Sequence, residues 1–575
     1  MELSPFIEML SGNIIMEIAI VIILATILSF FVRLFKQPLI PAYIITGLLL
    51  GPIGLGLIKD PLAVRALSEL GISFLLFVVG LEINLSKLKT VGPAAVIGGA
   101  LQIIIVYIVG FYTALALGFG QFEAIILGLV LTFSSTMIVI KLLSDSEQID
   151  TLHGRIVLGI LLVQDIAVFL AIPLLATLSN FSILLVLIII LKALALFLVA
   201  YLLGKYIFPG LFSFAAKSQE LLFMSSITVL FLFTILAHLL EFSIVIGAFV
   251  AGLSLANLPY HHDIKGRVNP LKSFFATLFF VSLGMQLTIV PMNFLKNILI
   301  FFLIAVFAKP IIIYILTTLF GYEKRTAFLA GLNLGQISEF SLIIIALPYV
   351  FSLISQELFS SVIFLAIITM ILTSYTVEFQ NGIYNIFLPI LKLFEKLFPI
   401  KLKHELEYKP REKRIDTILI GSHRMGSIFL SSLTKFKKNV LVIDNNPEII
   451  KNMIKRKVSC IYGDVRTKEV LDNLKFRKIK TIISTVPHGE ENLFLIDYAK
   501  SKNSKINIFV TANHFHEARK MYRSGADYVI LPHLLTGEKV SIILKKAFKD
   551  RKYLEGLTKK HHKLLGLDES LINKF

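Results

Sequence analysis

Residues Leu161 to Leu170 read LLVQDIAVFL. They set Gln164 and Asp165 inside an apolar stretch that runs from about Arg155 to Leu178. A helix needs roughly 20 apolar residues to cross a bilayer, and this stretch supplies them. A carboxylate at that depth costs at least about 2.5 kcal/mol on insertion. Such a group is kept where it binds an ion or carries a proton, or where it glues one helix to the next. The rest of the sequence favours the ion.

Similar apolar stretches fill the chain up to about Phe379, and after Lys392 it turns lysine-rich. Hydropathy predicts about thirteen spans. They start near Ile14, Leu39, Ala66, Pro93, Phe122, Arg155, Ser182, Ser218, Phe242, Ser273, Phe294, Thr326 and Glu357. Predicted inner loops hold Arg33, Lys36, Lys87, Lys89, Lys141, Arg155, Lys205, Lys217, Lys265, Arg267, Lys272, Lys324 and Arg325. Predicted outer loops hold Lys59, Arg65 and Lys296. That bias follows the positive-inside rule, so the C-terminal domain is expected on the cytoplasmic face of the cell (inner) membrane. The formal net charge of +18 invites a nucleic-acid partner. Its placement in short loops and in the soluble part argues against one. MELSPFIEML has no basic n-region and no cleavage site, so the first span is expected to stay as an anchor. The single cysteine, Cys460, leaves no disulfide framework and is expected as a small core residue of a strand.

Two further spans are interrupted by polar residues. LTFSSTMIVI (Leu131 to Ile140) puts Ser134, Ser135 and Thr136 mid-span, and GLNLGQISEFSLI (Gly331 to Ile343) puts Asn333, Gly335, Gln336, Ser338 and Glu339 there. Small, hydroxyl and amide residues let a membrane helix unwind while its backbone stays hydrogen-bonded. Two such helices in corresponding halves predict an inverted-repeat transporter with a midplane ion site. FFLIAVFAKPIIIYIL (Phe301 to Leu316) buries Lys309, far from either end of its apolar run. A lysine there must pair, lose its proton or snorkel, and Asp165 is its expected partner. Lys192 is read as a snorkelling or packing group, and Glu241 with His238 as a surface turn. Glu339 is the only other acid placed as deep as Asp165.

Six motifs now stand in order: GLLLGPIGLGLI, LGISFLLFVVGLEINLSKL, LLVQDIAVFLAIPLL, IGAFVAGLSLAN, PLKSFFATLFFVSLGMQL and GLNLGQISEFSLI. Together they resemble the monovalent cation:proton antiporter-2 family, and within it the Kef-type potassium–proton antiporters. The resemblance implies an antiporter fold of about thirteen helices, a homodimer, and a core with two crossed, unwound helices. It implies that Asp165 binds the cation and the proton. Gln164 stands where electrogenic sodium antiporters have a second acid, and Lys309 resembles the lysine that pairs with the aspartate when no cation is bound. The loop PYHHDIKGRVNPLK lacks the acidic run of glutathione-gated relatives, with Lys265, Arg267 and Asn269 in its place. Gating by glutathione through that contact is therefore not expected.

From Arg414 the pattern alternates short apolar runs with helical segments, a doubly wound α/β reading. DTILIGSHRMGSIFLSSL reads strand, turn, helix, and carries a G-x-G-x-x-G turn in which Gly421 and Gly426 remain but His423 replaces the middle glycine. Arg424 and Met425 open the helix, whose N-terminus offers amides to a phosphate. Asp444, with Asn445 after it, ends the next strand at the spacing of an acid that grips a ribose hydroxyl. This half resembles the KTN or RCK nucleotide-binding N-lobe of potassium transport systems. The resemblance adds Gly463, Asp464 and Thr485 to the candidate nucleotide site. With His423 in the turn, AMP or ADP is expected to bind at least as well as NAD(H).

The expected organisation is an exchanger domain over 1–379, an amphipathic linker over 380–412, a Rossmann-like nucleotide domain over 413–549 and a basic tail over 550–575. The expected function is exchange of a monovalent cation, K+ ahead of Na+, for H+, with Gln164, Ser134, Ser135, Thr136 and unwound carbonyls helping Asp165 hold the cation. One acid in place of two implies electroneutral exchange. A Na+/H+ antiporter of the same family is the alternative. A nucleotide-gated potassium channel would need a TVGYG-type filter, and no such segment occurs. An oxidoreductase would need a second, catalytic domain beyond the nucleotide lobe.

Overall fold

A computed structural model describes residues 14–35, 37–57, 61–82, 93–146, 148–149, 151–175, 183–397, 407–408, 415–436, 438–463, 471, 474, 476–487, 489–548, 553 and 557. Lys36, Lys59, Lys87, Lys89, Asp464 and nearly all of the basic tail lie outside the described residues. The chain divides into two compact units, residues 1–149 with 153–403, and residues 150–152 with 404–575.

Among its described residues the first unit is built of helices. In order it holds α1 (Ile14–Leu34), α2 (Ile40–Leu50), α3 (Pro61–Glu82), α4 (Pro93–Ala116), α5 (Gln121–Thr132), α6 (Thr136–Asp145), α7 (Leu152–Leu175) and α8 (Ile183–Leu202). A π-turn at Leu203–Ile207 leads into α9 (Phe208–Ala215), followed by α10 (Gln219–Leu239), α11 (Ile244–Leu255), α12 (His261–Met285) and α13 (Met292–Leu303). A second π-turn, Ile304–Ala308, leads into α14 (Lys309–Leu319), then α15 (Lys324–Asn333), α16 (Glu339–Ala346), α17 (Pro348–Phe351), α18 (Gln356–Glu378) and α19 (Gln380–Leu397). Among the described residues nine helices are long and apolar enough to cross a membrane.

Burial sorts these helices. In α1 and in α8–α9 only 17% of the apolar window is covered, whereas in α18 the share is 67% and in the α5–α6 pair 61%. The first group therefore presents apolar side chains outward to lipid, and the second forms the packed interior. The interior is where the polar-interrupted helices lie.

Two details depart from the sequence reading. The expected loop HHDIKGRVNPLK is helical, forming the first turns of α12 with Pro270 inside the helix. Hydropathy detects only the apolar part of a helix, so a polar extension into water escapes it. Lys192 is not a lone snorkelling group: its ammonium meets Glu241 Oε2 at 2.6 Å. Glu241 sits at φ 64° in the turn between α10 and α11.

The second unit is a seven-stranded sheet. Its elements are β1 (Glu407–Tyr408), β2 (Thr417–Ile420), α20 (Arg424–Lys435), β3 (Val440–Asp444), α21 (Pro447–Lys455), β4 (Cys460–Tyr462), β5 (Thr481–Ser484), α22 (Gly489–Lys502), β6 (Asn507–Thr511), α23 (Phe515–Arg523), β7 (Tyr528–Ile530) and α24 (Pro532–Ala547). The strand order is β1-β4-β3-β2-β5-β6-β7. Only β1, at the edge, runs antiparallel to its neighbour. A two-residue strand leaves no pattern in the sequence, and β1 falls in the segment expected as linker. The other six strands have the order of a dinucleotide-binding doubly wound sheet, with its switch point between β2 and β5. Ile418 and Ile420 pack into one apolar layer and Leu419 into another, as alternate residues of a doubly covered strand must. Cys460 is buried in the same layer as Leu419.

Candidate functional site

The α5–α6 pair is one span interrupted at Phe133–Ser135, where the backbone is extended at Phe133 (φ −88°, ψ 146°) and Ser135 (φ −72°, ψ 112°). α15 and α16 form a second interrupted span, broken at Leu334–Ser338. Each second half starts on a serine. Ser135 Oγ accepts the Ile138 N–H and Ser338 Oγ accepts the Phe340 N–H, so both serines are N-caps. The breaks lie against each other. Ser134 Oγ donates to the Leu334 carbonyl at 2.9 Å, and Gln336 Nε2 donates to the Ser135 carbonyl at 3.3 Å.

Asp165 lies on α7 and is buried. The Thr136 hydroxyl donates to it at 2.9 Å from Oδ1 and 3.2 Å from Oδ2. Thr136 is the first residue of α6, so the carboxylate sits at the partially positive end of a half-helix. Gln164 turns the other way. Its Oε1 accepts the Ser134 N–H at 2.8 Å, and its Nε2 donates to Gln102 Oε1 at 2.6 Å. Four candidates named from the sequence thus meet here: Asp165 with Thr136, and Gln164 with Ser134. Ser135 caps α6, and its hydroxyl lies beside the Glu339 carboxyl.

Lys309 is fully buried, but Asp165 is not its partner. Its ammonium donates to the Phe133 carbonyl and to the Gln336 carbonyl, each at 2.9 Å, and makes no ion pair among the described residues. Those carbonyls lie at the C-terminal side of the first half of each broken span. Such ends carry partial negative charge, which a buried ammonium can neutralise without a carboxylate. The π-turn just before Lys309 and the close approach of α15 bring it there. A Cβ on Gly331 would lie 2.5 Å from the Pro310 carbonyl oxygen, so a larger residue would push α15 away. The second deep acid, Glu339, opens α16. Its Oε1 accepts the Met137 N–H at 3.4 Å, and its Oε2 is buried without a hydrogen-bond partner among the described residues.

Gln102 and Gln336 complete this network, and neither was among the candidate site residues. The signal for Gln102 was a single amide inside the apolar run GGALQIIIVYIVG. The carbonyls of Phe133, Leu334, Ser135 and Gln336 each accept a side-chain donor.

In the second unit the turn after β2 is built around its glycines. Gly421 has φ +77°, which L side chains rarely adopt, and a Cβ there would lie 2.6 Å from Thr485 Oγ1. Thr485 Oγ1 donates to the Gly421 carbonyl at 3.0 Å, so this residue locks the turn. Gly426 packs against the Gly421 carbonyl oxygen. His423 is the exposed N-cap position of α20, and Arg424 and Met425 are its first two residues. Asp444 is buried at the end of β3. Its Oδ2 accepts the Ser422 N–H at 2.7 Å and its Oδ1 the Asn446 N–H at 2.8 Å. Burial pushes its carboxyl above the usual aspartate range, and those two N–H groups partly oppose the shift. Each oxygen keeps a lone pair for a further donor such as a ribose hydroxyl. Asn445 is exposed beside it, and Gly463 donates its N–H to the Asp444 carbonyl. Ser422 Oγ, at the same turn, is buried without a partner among the described residues. An unused hydroxyl beside a helix N-terminus fits a phosphate. The sequence reading missed it.

Residues 19–379 match the family described as sodium/hydrogen exchanger, transmembrane, and residues 417–532 match the TrkA-N domain. The putative cation/proton antiporter YbaL of Escherichia coli (strain K12) is 27% identical, over 89% of this chain and 93% of its own length. K(+) efflux antiporter 4 of Arabidopsis thaliana is 29% identical over 71% of each chain. The glutathione-regulated potassium-efflux system protein KefC of Salmonella arizonae is 26% identical, over 84% of this chain and 77% of its own.

Proposed function

Because the chain belongs to the sodium/hydrogen exchanger family, we propose that it is a multi-pass membrane antiporter exchanging potassium for protons, with Asp165 as the group for which they compete. The observation that carries this reading is a buried carboxylate held by Thr136 at the start of α6, beside two broken helices that bond to each other. Ionised, Asp165 offers hard oxygen ligands to an alkali cation, joined by the hydroxyls of Thr136 and Ser134. Protonated, it loses its charge and releases the cation. Gln164 cannot ionise, so the Gln164–Asp165 pair holds one titrating acid, and one proton is exchanged per cation. Potassium is preferred to sodium because efflux antiporters for potassium are among the similar proteins.

The first unit is the exchanger, and the segment 380–412 links it to a cytoplasmic nucleotide domain. Adenine nucleotide binding at the Gly421–Gly426 turn regulates transport. The ligand is AMP or ADP at least as readily as NAD(H), because His423 crowds the place where a pyrophosphate approaches. The protein works as a homodimer: α24 buries none of its residues within its own chain and exposes Leu534, Leu535, Val540, Ile542 and Leu544.

The test is proton flux in liposomes, read with an internal dye and driven by potassium or sodium gradients. Asp165→Asn should abolish exchange while the protein stays folded. Retention of more than a small fraction of the flux would sink the assignment and move attention to Glu339. Equal response to both cations would sink the preference for potassium.

A further inference from the structure

Gln102 lies in the middle of α4 and is fully buried. It is the first of two amides joined end to end. Gln102 Nε2 donates to the Thr132 carbonyl at 3.1 Å, Gln164 Nε2 donates to Gln102 Oε1 at 2.6 Å, and the Ser134 N–H donates to Gln164 Oε1 at 2.8 Å. The chain of bonds starts and finishes on one segment. Thr132 ends α5, and Ser134 lies two residues on, inside the break. A carbonyl only accepts and an N–H only donates, so the two ends fix the direction of everything between them. Turning either amide over sets like against like at both of its contacts.

We propose that Gln102 is a positioning residue for exchange: it orients the Gln164 carboxamide, which holds the break beside Asp165, and it makes position 164 a place for a neutral amide. This rests on the reading of Asp165 as the exchanging carboxylate. Neutrality is enforced from α4 because Gln102 Oε1 needs a hydrogen from position 164. A carboxylate at 164 has none to give. Gln102 would then have to turn over, and its own oxygen would face the Thr132 carbonyl. The number of titrating groups at the site is thus set partly by a residue that touches neither ion.

The experiment uses the full chain in liposomes, with potassium-driven proton flux measured against potassium concentration at several pH values. Gln102→Leu removes both bonds at similar size. It should raise the half-saturating potassium concentration about tenfold, the effect of losing the one bond that orients Gln164, with a smaller change in maximal rate. Gln102→Glu keeps the shape. Its carboxyl can donate to the Thr132 carbonyl only when protonated. Half-saturation should therefore be close to wild type at acidic pH and worsen as pH rises, a trend that Gln102→Leu does not share. Should Gln102→Leu fail to fold, the isosteric variant carries the test alone. Asp165→Asn is measured alongside. Persistent exchange there overturns the parent reading. Silence there, together with wild-type half-saturation and pH profile in the Gln102 variants, overturns the positioning role alone.

Discussion

Lys309 pins two breaks with one ammonium, so its removal leaves two buried carbonyls without a donor. Each such loss costs about 1–3 kcal/mol. Lys309→Met, which keeps length and removes charge, should lower the thermal unfolding midpoint of the purified protein by several degrees. An unmoved midpoint would show that Phe133 and Gln336 find other donors. Burial of Lys309 was legible in the sequence, and so was its need for a partner. The partner was not, because Asp165 is the obvious opposite charge, whereas the partial charge of a broken helix end has no letter of its own. Asp444 offers a pH test. Its carboxyl is raised by burial, so its share of stability is fully present below the unfolded value of about 3.9 and is lost as pH rises through the folded value. The stability deficit of Asp444→Asn, which cannot ionise, should shrink as pH rises from about 4 to 7. A constant or widening deficit in denaturant titrations would contradict this.

The interrupted helices owe their form to two serines. Ser135→Ala and Ser338→Ala each remove an N-cap and should cost about 1 kcal/mol, with glycine milder than alanine at both positions. Equal losses for glycine and alanine in thermal melts would mean that the hydroxyls matter for something other than capping. Interrupted spans were legible because small, hydroxyl and amide residues stand together mid-span in LTFSSTMIVI and GLNLGQISEFSLI. How the two breaks bond to each other was not, since bonds between Ser134 and Leu334 join residues distant along the chain. α19, the start of the segment expected as an amphipathic linker, packs on α15: Phe328 meets the Tyr384 ring edge-on at 5.6 Å, and Arg325 donates to Asn381 at 2.9 Å. Its first residue, Gln380, donates to Gln148 at 2.8 Å. The helix that leads toward the nucleotide domain is thereby fastened to one of the broken spans. Tyr384→Ala should reduce the effect of nucleotide on flux while leaving nucleotide-free flux in place. An undiminished nucleotide effect would place the coupling elsewhere.

For the whole molecule, two units with separate cores were foreseeable from the change in composition near Lys392, and the doubly wound sheet from its alternating pattern. The edge strand β1 was not, being too short to show a period. Each unit can be assayed by its own ligand. Calorimetry on a fragment from about Lys413 should detect AMP or ADP, and His423→Gly should improve NAD(H) relative to AMP by giving a pyrophosphate room. An unchanged preference would show that His423 does not crowd the turn. The uncovered helix α24 has a further implication, one of inheritance. If two copies share that surface, a gene carrying Asp165→Asn would not be a silent passenger beside a normal gene. With equal expression, mixed pairs would be twice as common as normal pairs, and a defect in one allele would reach the product of the other.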